Sequence, residues 1–199
     1  LYQHKTKRVI ETELFFNSSN SNNIKIIADE ENLPFVDNKF DLIVSILNLH
    51  TINDLPGCLI QLKNSLKPNG ILIASMLGGK TLPELRATLV KTELEQYGGV
   101  SPRVIPCVEL KQLGSLLERT GFNMPIIDKD RIEIHYSNPI ELLHDLRNMG
   151  ETNIMINRNK RYIGKEFWKN FCRNYTKDFS NDNGLCIASF EVLTFIAVK

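Results

Sequence analysis

The stretch FDLIVSILNLHTINDLPGCLIQLKNSLKPNGILIASM, residues 40–76, decides the fold. It begins with a nearly continuous apolar run, Phe40–Val44, which is typical of a parallel strand covered by helices on both faces. Apolar residues then recur at helical spacing over 54–66, and a basic turn with Pro and Gly follows at 67–70. Ile71–Met76 is the next apolar run. This order of strand, helix and strand predicts a right-handed βαβ unit, a mostly parallel sheet and an α/β fold.

The remaining segments extend the pattern in both directions. Upstream, Ile24–Ala28 predicts a strand that ends at Asp29, residues 7–16 fit either an amphipathic helix or a strand, and the polar run at 17–23 predicts a turn. Downstream, helical spacing, an Asn138 N-cap and glycines at 121 and 150 mark helix boundaries. They predict helices over 82–97, 109–120, 139–149 and 164–175, two short strands within 124–136 separated by 128–130, and a closing strand over 188–198. We therefore expect one domain over residues 1–199.

Composition limits the classes of function. Lys and Arg (24) nearly balance Asp and Glu (23), for a net charge of +1, so we expect no nucleic-acid partner. The apolar runs are too short for a transmembrane segment, and no signal peptide is visible. The four scattered cysteines predict reduced thiols and no metal site. We expect a cytoplasmic bacterial protein, with a peripheral position at the inner membrane as the alternative.

Three strand ends are candidate ligand sites, because open α/β sheets bind ligands at the carboxyl ends of their strands. Asp29 follows the first strand, and a carboxylate there can accept the exocyclic amine of an adenine. Ser45 follows the second, and His50 nearby is a candidate acid or base, although a structural histidine in a helix N-terminal turn is the interpretation favoured for it. The glycines at 78 and 79 after the third allow close backbone approach to a ligand or serve a plain turn.

Aromatic and basic residues alternate in RYIGKEFWKNFCRNY, residues 161–175, which is compatible with a nucleic-acid or membrane face. Phe167, Phe171 and Tyr175 recur at helical spacing, however, so we interpret them as a core stripe with a charged outer face.

These motifs carry a family resemblance. ADEENLPF (28–35), FDLIVS (40–45) and LKPNG (66–70) resemble class I S-adenosylmethionine-dependent methyltransferases of the type 11 group. GGKTLPELR (78–86), GGVSPR (98–103), MGETN (149–153) and EVLTFIAVK (191–199) are similar to a narrower mitochondrial and α-proteobacterial family, which includes the respiratory complex I assembly factor. The resemblance covers the chain from about Ile24 to its end and implies S-adenosylmethionine as cofactor.

The resemblance implies a Rossmann-like sheet of seven strands with an antiparallel pair at one edge, and it assigns site residues. Asp29 and Glu30 would flank the adenine, and Ser45 and Leu47 would line the methionine end of the cofactor. The substrate side would include Thr81, Glu84 and Arg86, for which a capped helix with exposed charges is the alternative interpretation. The family carries Trp where this chain has Thr51, so the pocket wall near His50 would differ.

One family feature is absent from the sequence. The family begins with a strand, a G-x-G-x-G loop and a helix, whereas the first glycine of this chain is Gly57. An acid after the family's second strand holds the ribose hydroxyls; Glu11 and Glu13 are the acids available here, without a clear alignment. The cofactor would lose backbone contacts to its carboxypropyl end. We therefore expect an N-terminally incomplete domain, with catalysis only if sequence upstream of Leu1 supplies the loop.

Three functions follow as hypotheses. The first is an S-adenosylmethionine-dependent methyltransferase, or a truncated remnant of one. The second is a respiratory complex I assembly protein that modifies or binds a partner subunit, since the family's assembly factor is linked to arginine hydroxylation and the fold does not fix the reaction. The third is the carboxyl O-methyltransferase of the biotin pathway, which shares the LPF motif.

Overall fold

A computed structural model of the protein describes residues 8–15, 23–153, 155, 158 and 163–199. In these ranges the strands are β1 (Ile10–Glu13), β2 (Ile24–Ile27), β3 (Phe40–Ile46), β4 (Leu66–Leu77), β5 (Asn123–Tyr136) and β6 (Cys186–Val198). The helices are α1 (Leu55–Ser65), α2 (Pro83–Tyr97), α3 (Leu110–Arg119), α4 (Pro139–Asn148) and α5 (Lys165–Phe179), with a short 3-10 turn at Leu49–Thr51. The α/β fold class is confirmed.

The strands form two sheets. β1 and β2 pair in parallel, with Ile10 opposite Ile24 and Glu13 opposite Ile27. The larger sheet has the order β3-β4-β6-β5, and β3 is parallel to β4. β6 runs opposite to β4, because Gly78 N–H bonds Glu191 O at one end and Lys199 N–H bonds Gly70 O at the other. The resemblance implied seven strands, and the described residues form six.

The chain divides into two compact units, of which the first comprises Leu1–Ser75, Leu113–Ile127 and Thr194–Lys199. Leucines form its core, and six of them are almost completely buried: Leu49, Leu59, Leu66, Leu72, Leu113 and Leu117. Lys199 fastens the end of α1, since its ammonium donates to the carbonyls of Asn64 (2.9 Å) and Leu66 (2.7 Å). A cation at this position also complements the negative carboxyl end of the helix dipole.

The second unit comprises Met76–Gln112 and Asp128–Leu193. Its core is built on α5, where Phe167, Phe171 and Tyr175 are completely buried. An edge-to-face series of rings joins Phe167 to Phe171 through Trp168 and then joins Phe171 to Tyr175. The core-stripe interpretation is therefore confirmed for the described part of that segment, and residues 161 and 162 lie outside the described residues. None of the helices in the described ranges is both long and apolar enough to cross a membrane.

Several local predictions are confirmed by particular contacts. Asn138 caps α4, its side-chain oxygen accepting the N–H of Ile140 at 2.9 Å. Gly121 and Gly150 follow α3 and α4 with φ of 85° and 84°, in the left-handed region where glycine is favoured. All four cysteines are free thiols. The ambiguous segment at 7–16 contains a strand, β1, whose hydrogen-bond partner is β2.

Three predictions about strands are wrong. The two short strands within 124–136 are one continuous strand, β5, because residues 128–130 lie on an edge strand and expose their charges without breaking the pairing. β4 starts at Leu66 and not at Ile71, since residues 67–70 form an irregularity in the strand with Asn69 at φ 63°. The helices in the described part of the chain do not cover both faces of β3: Leu42, Val44 and Ile46 on one face are 50%, 54% and 73% exposed.

The GGVSPR segment is fastened to α2 by one buried carboxylate. Glu93 accepts hydrogen bonds from Ser101 N (2.7 Å), Ser101 Oγ (2.6 Å) and Arg103 Nε (2.8 Å). The Arg103 guanidinium also lies over the Phe167 ring, 5.2 Å from its centroid. Burial alone raises the pKa of Glu93, but the bonds from Ser101 and Arg103 outweigh burial and hold that pKa below its ordinary value of 4.5.

The substitution Glu93→Gln tests this anchor through its pH dependence. Folding lowers the pKa of Glu93, so its contribution to stability is present above pH of about 4.5 and is lost as the pH falls through the lower, folded pKa. Urea unfolding at several pH values should show the largest difference in unfolding free energy between wild type and Glu93→Gln at neutral pH, shrinking below pH of about 4.5. Exposed Glu118 supplies the control, Glu118→Gln, and a difference constant with pH would contradict the assignment.

Candidate functional site

The acidic loop after β2 is held in place by two residues on either side of the 3-10 turn and by one on α1. Glu30 Oε1 accepts the amide of Asn48 at 3.0 Å, and Glu31 Oε1 accepts the backbone N–H of Asn53 at 2.7 Å. Gln61 on α1 donates to the carbonyl of Glu31 (2.8 Å) and accepts the N–H of Leu33 (2.9 Å). These amides were not identified from the sequence, because their partners lie 18 to 30 residues away.

Within this loop Asp29 keeps part of its carboxylate available. One oxygen, Oδ1, accepts the N–H of Glu31 at 2.9 Å, and the Asp29 carbonyl accepts the N–H of Asn32 at 2.9 Å. The other carboxylate oxygen has no hydrogen-bond partner among the residues that the structure describes, and the side chain is exposed. A hydrogen-bond donor on a ligand, such as an exocyclic amine, can therefore reach it.

Several carboxylates, most of them from this loop, lie near the thiol of Cys58. Burial first, and then the nearby carboxylates of Glu30, Glu31, Asp54 and Asp29, raise the pKa of the Cys58 thiol to about 12. The thiol therefore stays protonated at neutral pH and behaves as a small core residue, not as a nucleophile.

The end of β3 has an uncommon backbone. Leu47 adopts φ 48°, in the left-handed region that non-glycine residues rarely enter, and its N–H donates to the Ser75 carbonyl at 2.8 Å. Its side chain is about half exposed, whereas Ser45 is partly buried opposite Ala74 of β4. Leu47 thus follows the strand as expected, whereas Ser45, predicted to follow it, lies inside β3 because the strand extends to Ile46. The Leu47 side chain is exposed at the carboxyl edge of the strand.

His50 lies in the 3-10 turn after β3 and is only 8% exposed. Its burial favours the structural interpretation over an acid or base role, since proton transfer requires access to the substrate. The neighbouring Thr51 donates its hydroxyl to the Asn48 carbonyl at 2.8 Å. This bond closes the turn locally.

Glu13 is an acid whose position sequence reasoning left open. It ends β1 directly opposite Ile27, and its carbonyl accepts the N–H of Ala28 at 3.1 Å. Because the two strands are parallel, Glu13 and Asp29 follow at the same sheet edge. Glu11, two residues earlier, instead accepts the amide of Asn23 at 2.6 Å. The sequence feature that could have indicated this position of Glu13 was the strand interpretation of residues 7–16.

The substrate-side candidates, Thr81 and Glu84, are buried at the start of α2. Thr81 Oγ1 bonds both the N–H and the carbonyl of Glu191 at 3.1 Å. Glu84, 7% exposed, accepts the backbone N–H of Ser189 (3.1 Å) and its hydroxyl (2.7 Å). The alternative of a helix with exposed charges is therefore wrong for Glu84, because its carboxylate bonds to β6.

Arg86, the third candidate, lies near Cys107 and has no hydrogen bond to β6. Its Nε is buried without a hydrogen-bond partner, and its charge acts on the Cys107 thiol. Burial still raises the pKa of Cys107, against the effect of Arg86. The three predicted residues therefore do not form one hydrogen-bonded group in the second unit: Thr81 and Glu84 bind β6, and Arg86 does not.

The glycine pair is required by packing. A Cβ on Gly78 would lie 2.5 Å from Glu191 Oε2, and one on Gly79 would lie 2.9 Å from Glu109 Cγ. The N–H groups of both residues are also used, Gly78 to Glu191 O and Gly79 to Val108 O. The close approach predicted for this pair is thus toward neighbouring protein segments.

The substitution Gly78→Ala should lower the unfolding free energy by about 1–3 kcal/mol, because the added methyl must displace Glu191 and Leu193. Gly99→Ala is the matched control, since a Cβ there meets nothing within 4 Å and φ is not positive. Chemical denaturation of both variants measures the difference. Equal stability of the two would show that the contact at Gly78 relaxes without cost.

Comparisons with known proteins show the family to which the chain belongs. Residues 7–74 match a methyltransferase domain family model. The chain is 38% identical to arginine-hydroxylase NDUFAF5, mitochondrial, of Danio rerio, over 99% of the chain and 64% of that protein. It is 30% identical to malonyl-[acyl-carrier protein] O-methyltransferase 1 of Coxiella burnetii, over 84% of the chain and 56% of that protein. The chain thus spans less than two thirds of the length of these relatives.

One further related protein and one solved structure are also similar to this chain. A Rickettsia prowazekii protein named as a methyltransferase, RP459, is 33% identical over 80% of the chain and 70% of its own length. The crystal structure of the YcgJ protein from Bacillus subtilis shares the fold, with a TM-score of 0.57 at 15% identity over 90% of the chain and 72% of that structure. The chain therefore belongs to the class I S-adenosylmethionine-dependent methyltransferase family.

Proposed function

We propose that this chain binds the adenosine half of S-adenosylmethionine at the carboxyl edge formed by β1 and β2. The observation that carries the proposal is the parallel register of these strands, which brings Glu13 opposite Ile27, two positions before Asp29. In this arrangement Asp29 accepts the adenine amine, as the unpartnered oxygen of its exposed carboxylate allows. Glu30, fixed by Asn48, flanks the ring.

Glu13 takes the role of the acid that holds the ribose hydroxyls. A carboxylate accepts two hydroxyl donors through its two oxygens, and its position at the end of a strand next to the adenine loop suits that role. At the methionine end, Ser45 and Leu47 line the cofactor. When bound, S-adenosylmethionine supplies an electrophilic methyl group on its sulfonium sulfur.

The residues fit the two halves of the cofactor unequally. The adenosine half would contact two acids and a fixed loop. Residues 1–56 contain no glycine, so they offer no glycine-rich loop whose backbone could bind the carboxypropyl end of the cofactor. Among the described residues between the end of β3 and the start of α1, Leu47 is the one residue with a positive φ, at 48°. Binding by this chain therefore depends on the adenosine contacts.

Calorimetric titration with S-adenosylmethionine tests these assignments. Asp29→Ala and Glu13→Ala should each weaken binding about tenfold, the effect of losing a hydrogen bond to a charged group. Asp37→Ala, which removes an exposed acid outside the loop, should leave the isotherm unchanged. An Asp29→Ala isotherm identical to wild type would overturn the adenine assignment.

We further propose that the substrate is a protein of the respiratory chain, with a complex I subunit as the first choice. The relative named as a mitochondrial arginine hydroxylase supports this choice, since it matches 99% of the chain. The matches to malonyl-[acyl-carrier protein] O-methyltransferase support the biotin-pathway alternative less, since their identity is lower.

Mass spectrometry of complex I subunits co-expressed with the chain distinguishes the reactions. Transfer from S-adenosylmethionine predicts a gain of one methyl group on a subunit, whereas an activity like that of the hydroxylase relative would add one oxygen. The Asp29→Ala variant is the control and should reduce the methyl product. Subunits of unchanged mass, together with rescue of a biotin auxotroph, would favour the acyl-carrier substrate instead.

A further inference from the structure

One face of the larger sheet in the first unit is apolar and is not covered by the helices in the described part of the chain. Leu42, Val44 and Ile46 of β3 lie on this face and are half or more exposed. The parallel register of β3 and β4 places Leu42 opposite Ile71 and Val44 opposite Ile73. Because opposite residues project to the same side of a sheet, β4 continues the apolar face of β3.

β6 continues the same face. The two backbone hydrogen bonds that join β4 to β6, at Gly78 and at Lys199, give one antiparallel register. In this register Ile73 lies opposite Ile196, which is 43% exposed. Val44, Ile73 and Ile196 therefore form one apolar row across three strands.

β5 adds two further apolar residues, Met124 and Ile126, which are 75% and 70% exposed. Arg131 on β5 bonds Ser189 on β6, so these two side chains project to one face of the sheet. Ile126 and Ile196 are an odd number of positions from Arg131 and Ser189, so they project to the opposite face. We call this side of the four strands, within the first unit, the open face.

The open face is large enough for a stable protein interface. At about 30 Å² for each aliphatic carbon, the exposed parts of its side chains amount to about 500 Å² of apolar surface. An interface of standard size buries about 800 Å² on each partner, of which about 60%, or about 500 Å², is apolar. The open face of one copy thus supplies the apolar area that one partner needs.

The chemistry of the open face determines the kind of partner it fits. None of the described residues that project from it in the first unit is charged, and its polar members are Ser75 and Thr194. A charged partner would lose its hydration there without gaining a counter-charge. A second open face is apolar and uncharged in the same way, and a net charge of +1 per chain causes little repulsion between two copies.

We propose that two copies of this chain pack open face to open face in a two-fold symmetric dimer. Two sheets pack in this way about 10 Å apart with their side chains interdigitated, and the β-branched side chains of Val44, Ile73 and Ile196 have few rotamers to lose. A two-fold interface uses the same patch of both copies, so the assembly closes at two. This inference is independent of the proposed cofactor and substrate.

Analytical ultracentrifugation of the full chain at about 1–100 µM tests the proposal. We expect a reversible monomer–dimer equilibrium with a dissociation constant of about 10 µM or lower. Raising NaCl from about 0.05 M to about 0.5 M should not dissociate the dimer, because no charges meet across the open faces. A monomer at all concentrations, an assembly that grows beyond two copies or a dimer that salt dissociates would each overturn the proposal.

Substitutions on two strands locate the interface. Val44→Lys on β3 and Ile126→Lys on β5 should each raise the dimer dissociation constant about a hundredfold or more, because each would bury an unpaired ammonium group. Val100→Lys is the matched control, since Val100 is 52% exposed and belongs to the second unit. An unchanged dimer in either open-face variant, or loss of the dimer in the control, would show that the open face is not the interface.

Thermal unfolding separates the interface from the fold. At a concentration where wild type is monomeric, Val44→Lys and Ile126→Lys should unfold at the wild-type Tm, because both positions are exposed in the monomer. A lower Tm of both variants under these conditions would make the open face part of the monomer's folding core and overturn the proposal. If a variant does not fold, the concentration dependence of wild type still decides.

A lipid surface is the other apolar partner to test. Wild-type chain should not sediment with phosphatidylcholine vesicles, because the dimer leaves no open face for them. Chain that is monomeric in buffer and sediments with these vesicles, while Val44→Lys does not, would assign the open face to a membrane surface and reject the dimer.

Discussion

The hydrogen bonds between the start of α2 and β6 are the constraint on which the second unit depends. Thr81 and Glu84 bind Glu191 and Ser189, and the N–H of Leu82 bonds the Ser189 carbonyl at 2.6 Å. These contacts join segments 105 to 110 residues apart in the chain. They set where α2 begins, and the helix in turn presents its buried face to α5 and carries Glu93.

The sequence predicts local structure where local chemistry determines it. The βαβ unit at 40–76 follows from apolar periodicity, the start of α4 follows from Asn138 and Pro139, and the burial of α5 follows from its aromatic spacing. Prediction fails where a distant partner decides the outcome. Residues 10–13 are a strand because β2 pairs with them, and residues 128–130 stay extended because β5 lies at the edge of a sheet.

The same distinction applies to the site. Asp29, Glu30, Ser45 and Leu47 could be proposed from strand ends and family motifs, and the structure describes their surroundings in the first unit. Asn48, Asn53 and Gln61 could not, because an amide that positions a loop has no characteristic spacing. Glu84 has the sequence environment of an exposed first-turn acid, and only its bonds to Ser189 show that it is buried.

The exposure of one face of β3 matters for the solubility of the chain. Leu42, Val44 and Ile46 are half or more exposed, so replacing them with polar residues removes little buried apolar area and should cost little folding energy. Strand-forming polar residues such as threonine keep the β propensity of these positions. The alternate residues of β3 are thus a place where the solubility of this chain can be engineered independently of its fold.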